Sequence, residues 1–265
     1  MKFIDMSATI GYATVNKSIV SHENFPVYEK VKQAKDSAEL LQEMDFCGID
    51  EAVTWHQTMY DVSVNYGNKL YLADKSNYTG RLKGTIGLLP AISDPDFEVE
   101  KLDRVIDEHA LVGVRAFPRQ NRFFLDKITM GDTLDYLAEK RLPLYLSPRD
   151  GWDDVFAVMR DFPRLTVILT DYGLWGSDRY VFPLVKNYKH FYIESSDYQV
   201  FLGIENFVNK IGAEHMLFGT NYPNCNMGGS TATLLAAKIS EEDREMIAHK
   251  NAERLFAKIK RGMAK

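Results

Sequence analysis

Two cysteines in 265 residues, Cys47 and Cys225, leave no material for a disulfide framework, the device on which small secreted domains rely. Long apolar runs are missing as well. No stretch approaches the ~20 residues a membrane-spanning helix needs, and residues 1–10 carry no signal-peptide core. Positive charge is not in excess: 32 Lys and Arg stand against 37 Asp and Glu, a net charge of −5, which argues against a nucleic-acid surface. The expectation is a cytoplasmic protein with neither nucleic acid nor membrane among its partners. No linker rich in proline or serine divides the chain, and no G-x-G-x-x-G follows the first apolar run, which counts against a dinucleotide site. Histidine is scarce. Of the six, only His56 falls at the end of a predicted strand.

What is present is alternation. Short apolar runs at 2–6, 51–55, 82–89, 112–117, 142–146, 165–169, 191–193 and 216–218 read as strands, and amphipathic stretches between them read as helices. Asp36 with Glu39 predicts a helix N-cap, Gly48 its end, and Ser240 with Asp243 the cap of the last helix. Repeated β–α alternation means a parallel sheet, and a count of about eight favours a closed (β/α)₈ barrel of one domain over residues 1–265. The connection over residues 12–35 is long, which marks it as a candidate lid with Phe25 or Tyr28 facing the pocket. The last apolar run, Met216-Leu-Phe-Gly-Thr-Asn-Tyr-Pro223, delivers Asn221 where the strand stops, and Pro223 ends the pairing.

That stretch resembles the last barrel strand of the amidohydrolase-2 family, metal-dependent TIM-barrel hydrolases and decarboxylases related to aminocarboxymuconate-semialdehyde decarboxylase. There the pattern is Phe-Gly-Ser-Asp-x-Pro, and the Asp is a metal ligand and catalytic base; Asn221 stands in its place. Ile4-Asp5-Met6 matches the family's first strand, but Ser7 and Thr9 replace its two ligand histidines. Leu142-Pro143 is followed by Ser147 where the family has a ligand histidine, and Asp171 occupies the histidine position before Gly173. Asn251-Ala-Glu-Arg-Leu-Phe256 and Gly48-Ile-Asp-Glu-Ala-Val53 match the family's framework. The resemblance implies an amidohydrolase-type barrel that has departed from the motif at every ligand position. Such hydroxyls and an amide cannot compensate the desolvation of a divalent ion, so no metal and no other cofactor is expected.

The remaining strand-end residues define a candidate pocket. Arg115, Arg119 and Arg149 lie on or just beyond adjacent predicted strands, where guanidinium forks would hold a carboxylate or phosphate; the alternative is a structural network with Asp150, Asp153 or Glu194. His56 is either a hydrogen-bonded structural residue or a general acid/base working with Asp171 or Glu194. Asp171 is either catalytic or the partner of an arginine. Ser7, Thr9, Ser147 and Asn221 could orient a water or carbonyl, with Trp55, Tyr172 and Trp175 lining the mouth. Gly228-Gly-Ser-Thr231 offers a second anion site at a helix start. The leading expectation is a metal-independent hydrolase or lyase for a small anionic substrate. A non-catalytic ligand-binding barrel and a metal-dependent hydrolase with a rearranged site are the alternatives. A homo-oligomer is compatible with all three.

Overall fold

Eight parallel strands hydrogen-bond in sequence order from β1 to β8. The computed structural model describes residues 1–11, 33–75, 80–172, 178–198 and 200–262. Residues 12–32 of the candidate lid, with Phe25 and Tyr28, and Trp175 lie outside the described residues. The strands are β1 (Ile4–Ile10), β2 (Glu51–His56), β3 (Leu82–Gly87), β4 (Gly113–Arg115), β5 (Leu144–Leu146), β6 (Val167–Leu169), β7 (Phe191–Glu194) and β8 (Met216–Leu217). The helices are α1 (Ser37–Cys47), α2 (Thr58–Asp61), α3 (Val64–Lys75), α4 (Val99–Glu108), α5 (Pro118–Asn121), α6 (Lys127–Lys140), α7 (Trp152–Asp161), α8 (Asp178–Asn187), α9 (Gly203–Lys210), α10 (Met227–Ala236), α11 (Glu241–Glu245) and α12 (Asn251–Phe256). A π-helical stretch, Met246–Lys250, joins the last two. This is the single-domain (β/α)₈ barrel expected from the alternation.

The ring closes between β8 and β1 through backbone bonds, Met6 N–H to Phe218 O and Thr9 N–H to Tyr222 O, both 2.9 Å. Asp5 reinforces that seam. Its wholly buried carboxylate accepts from the backbone N–H groups of Ser7 and Thr220 (2.9 Å each) and from Thr220 Oγ1 (2.5 Å). Along the short strands the side chains alternate. Tyr145, Ile168 and Tyr192 join Ile4, Met6, Val53 and Leu217 in the barrel interior, while Leu144, Val167, Leu169, Phe191 and Ile193 face the helix layer. Ala252 and Leu255 of α12 pack on the interior cluster and close its N-terminal end.

Local chemistry explains the element ends. Asp36 accepts from Glu39 N–H at the start of α1, and Gly48 ends it at φ 71. A short helix, α2, precedes α3, and Val62 leaves helical geometry between them. Gly228 and Gly229 do not form an open anion-binding turn. They lie inside the first turn of α10, where the Asn226 side chain accepts from Gly229 N–H. The final helix ends at Phe256.

Candidate active site

Parallel strands all end at one mouth, and β4 carries Arg115 to it. Arg115 pairs in register with Gly87 of β3 and Tyr145 of β5. Its Nε donates to Thr85 Oγ1 (3.1 Å), and the guanidinium lies over the rings of Tyr145 (4.5 Å to the centroid) and Trp55 (5.0 Å). Gly113 leaves room for the Tyr145 ring, since a Cβ there would lie 2.7 Å from Cε2. Arg115 is 4% exposed, and its Nη2 is buried with no hydrogen-bond partner. Among the described residues no carboxylate comes within ion-pair distance of it. Burial depresses its pKa, partly offset by its surroundings, Tyr145 first and then the Asp171 carboxylate.

β7 delivers Glu194, which accepts from Ser196 N–H (2.8 Å) and from the Ser196 hydroxyl (2.7 Å). Gly219 is required beside it, because a Cβ at that position would sit 2.0 Å from Glu194 Oε2. Burial, and after it the like charges of Asp171 and Asp197, push its pKa up to about 8. Glu194 therefore holds a proton at neutral pH.

A hydrogen-bonded chain runs across the strand ends. Asn221 Nδ2 donates to Asp171 Oδ1 (2.7 Å) and reaches Asp197 Oδ2 (3.4 Å), while Cys225 Sγ contacts Asp197 Oδ1 (3.4 Å). Burial and Asp197 push the Cys225 thiol up to about 12, so it is no nucleophile at neutral pH. Burial also raises the Asp197 pKa, with Asp171 adding to it. Asp171 and Asn221 both adopt left-handed backbone, φ 51 and 48. Asp and Asn tolerate that region better than most residues, and a strained backbone held at a barrel mouth often belongs to a functional site.

The other sequence-predicted residues divide. Arg149 Nη2 lies 3.7 Å from Asp171 Oδ1, but its side chain is 65% exposed, so this contact is weak. Arg119 on α5 is exposed, lies against Gly151, and its charge is felt by Asp154 rather than by the mouth group. Of the three arginines, Arg115 is the buried one, Arg149 reaches Asp171 from an exposed position, and Arg119 is exposed beside Gly151. Ser147 caps the turn after β5, its Oγ accepting from Arg149 N–H (3.2 Å). Ser7 and Thr9 are buried on β1, whose register shifts between Asp5 and Ala8. Tyr172 is buried and stacks on Tyr198 (5.2 Å), and Trp55 packs on Phe117 (5.3 Å).

His56 is held elsewhere. Its Nδ1 accepts from Thr58 N–H (3.2 Å), and its ring lies so close to Gly11 that a Cβ there would meet Cε1 at 2.4 Å. Burial lowers its pKa, which favours the neutral ring with the proton on Nε2. None of its described hydrogen bonds goes to Asp171 or Glu194. Thr85, Tyr145 and Asp197 belong to the site without having been singled out in the sequence. For Asp197 a signal existed, the polar run Glu194-Ser-Ser-Asp197 directly after an apolar strand.

Among the described residues no group of three or more His, Cys, Asp or Glu could hold a metal ion. At the mouth, Ser7, Thr9, Ser147 and Asn221 offer neutral oxygens or an amide, and Asp171 is already the acceptor of Asn221. That donor set does not suit a transition-metal ion.

A closed parallel barrel with polar groups gathered at its C-terminal mouth defines an enzyme-like scaffold. The amidohydrolase family profile matches residues 21–258, and the chain belongs to that family. Solved structures similar to it include a dihydroxybenzoic acid decarboxylase from Polaromonas sp. JS666 with bound manganese and the inhibitor 2-nitroresorcinol (16% identity, 97% of each chain covered, TM-score 0.75). A 5-carboxyvanillate decarboxylase from Sphingomonas paucimobilis (17%, 97% of this chain and 99% of that one, 0.70) and a 4-oxalomesaconate hydratase from Rhodopseudomonas palustris (16%, 97% and 96%, 0.68) share the fold as well. No curated protein sequence matches the chain.

Proposed function

We propose that the barrel mouth binds a small carboxylate on Arg115 and that the protein is a lyase or hydrolase working without a tightly held transition metal. The observation that carries this reading is Arg115 itself, a guanidinium buried between two aromatic rings with Nη2 unpartnered and no carboxylate beside it. Burying a charge without a counter-ion costs several kcal/mol, a cost an arriving anion would offset. Relatives of the same fold are named for carboxylic acids, which supports a carboxylate over other anions.

In this reading the arginine orients the carboxylate through a fork of hydrogen bonds. Asp171, half-buried and held by Asn221, moves the proton at the reacting atom. Glu194, kept neutral by its environment, spares the mouth one negative charge that would repel the ligand. Because Arg115 is almost wholly covered, binding is coupled to an opening of the mouth.

A thermal-shift screen of small mono- and dicarboxylates is expected to find stabilisers. Arg115→Gln should weaken the best of them by about tenfold or more, as expected for a lost bond between charged groups. Arg115→Lys, which keeps the charge but not the fork, should retain part of the effect. If no carboxylate stabilises the wild type, or if Arg115→Gln leaves affinity intact, the reading is wrong. A ligand that binds through Arg115 and is never turned over, with Asp171→Asn indifferent, would identify a binding protein instead.

A further inference from the structure

A cavity of about 710 Å³ opens at the end of the barrel opposite the mouth. It is built from the residues that precede three consecutive strands: Lys140 and Arg141 before β5, Arg164 and Thr166 before β6, and Lys189 and His190 before β7. The segment after α12 adds Lys258, Lys260 and Arg261. Seven Lys and Arg thus line one concavity against a single acid, Glu139, on a chain whose net charge is −5. Leu255, Val99, Tyr136 and Tyr192 supply an apolar and aromatic lining.

Few of these charges are answered from within. Lys140 is paired with Asp103 (2.6 Å), and Arg261 donates to Ile106 O (3.1 Å). The side chains of Arg141, Arg164, Lys189 and Lys258 have no ion-pair or hydrogen-bond partner among the described residues. Their mutual repulsion registers on their neighbours. Burial first, then Lys189, Arg141 and Lys258, depress the His190 pKa, and burial with Arg254 and Arg141 depresses that of Lys258. The segment that brings in Lys258 and Lys260 is fixed in place: Lys260 N–H donates to Lys140 O (2.9 Å), the Lys140 ammonium to Gly262 O, and Gly262 N–H to Asp107 (2.6 Å).

We propose that this cavity is a second ligand site, separate from the barrel mouth, for a phosphorylated small molecule. The size lies within the range of small-ligand pockets. At least four unpaired cations around one space are more than a single carboxylate needs and suit a polyvalent phosphate. The charges converge on a concavity with an apolar lining instead of forming an extended stripe, which favours a small molecule over a nucleic acid.

The probe is inorganic pyrophosphate, titrated calorimetrically into the intact chain at low salt. One saturable equivalent is expected. Arg141→Gln with Lys258→Gln, both exposed, should weaken it by about tenfold or more while the circular dichroism spectrum is kept. Arg115→Gln should leave it unchanged, which separates this site from the mouth. The proposal is overturned by the absence of saturable binding, by an equal loss in a control pair on another face (Lys101→Gln with Lys210→Gln), or by loss in Arg115→Gln alone. An RNA oligonucleotide that binds more tightly than pyrophosphate and is released by the same double variant would likewise replace the small molecule with a polyanion.

Discussion

Glu194 shows how a single buried group sets the pH behaviour of the mouth. Its folded-state pKa is about 8, above that of an ordinary carboxylate. In the unfolded chain it loses its proton near the usual carboxylate range, whereas the folded chain keeps it until about pH 8. Across that window the folded state binds more protons, so this group makes stability fall as pH rises, by at most about 1.4 kcal/mol per unit. Glu194→Gln removes the slope and keeps much of the shape. The variant is expected to gain most over wild type at and above pH 8 and little near pH 4, in denaturant titrations at several pH values. A variant that loses stability equally at all pH values would show that Glu194 is ionised in the fold. Arg115 was legible as a strand-end arginine, yet its isolation was not. Which carboxylates approach a guanidinium depends on rotamers and on strands far apart in the chain: Arg149 meets Asp171, and Arg119 lies against Gly151.

At the scale of elements, the seam between β8 and β1 and the docking of α12 carry the barrel's closure. Asp5 accepts two hydrogen bonds from Thr220, across most of the chain, and a third from the nearby Ser7 N–H, and its burial raises its pKa, so the seam depends on partners that satisfy it. Asp5→Ala leaves Thr220 Oγ1 and two backbone donors without their acceptor. A loss on the order of 3 kcal/mol or more is expected from chemical denaturation, above that of an ordinary surface change. Asn251 does similar work, its Nδ2 donating to Ala213 O and Met216 O (2.8 Å each) and so holding the start of β8. Asn251→Ala should cost about 1–3 kcal/mol, whereas Glu253→Ala next to it should cost much less because that residue is exposed. Element order was readable because apolar runs and caps are local signals. Strand ends were less so: β4, β5 and β6 are three residues each, shorter than their apolar runs, although flanking residues such as Val112 and Thr170 still bond to neighbouring strands. Asp126 caps α6, its side chain accepting from Ile128 N–H and Thr129 N–H.

For the whole molecule, metal dependence is the property on which the fold and the site pull in opposite directions. The chain belongs to the amidohydrolase family, and one solved structure of similar fold, a dihydroxybenzoic acid decarboxylase, carries bound manganese. A tight site for such an ion needs three or four charged or imidazole donors turned toward one point, and each carboxylate or histidine must be free to ligate. Here the described residues contain no such group. Asp171 is already tied to Asn221, and Glu194 holds a proton that would have to leave before it could ligate. His56 spends Nδ1 on Thr58 N–H. The protein purified from metal-replete medium is therefore expected to carry well under one equivalent of zinc, iron or manganese by elemental analysis. Its melting temperature should not move on dialysis against a strong chelator, and added manganese should give no saturable stabilisation. About one equivalent of metal per chain, lost to chelator with a fall in melting temperature, would overturn this and would mean that binding reshapes the mouth, most directly by pulling Asn221 away from Asp171. Asp171→Asn and Glu194→Gln provide the discriminating pair: a metal held by a rearranged mouth would be lost in both, whereas a metal-free barrel keeps its unchanged response to chelator in each.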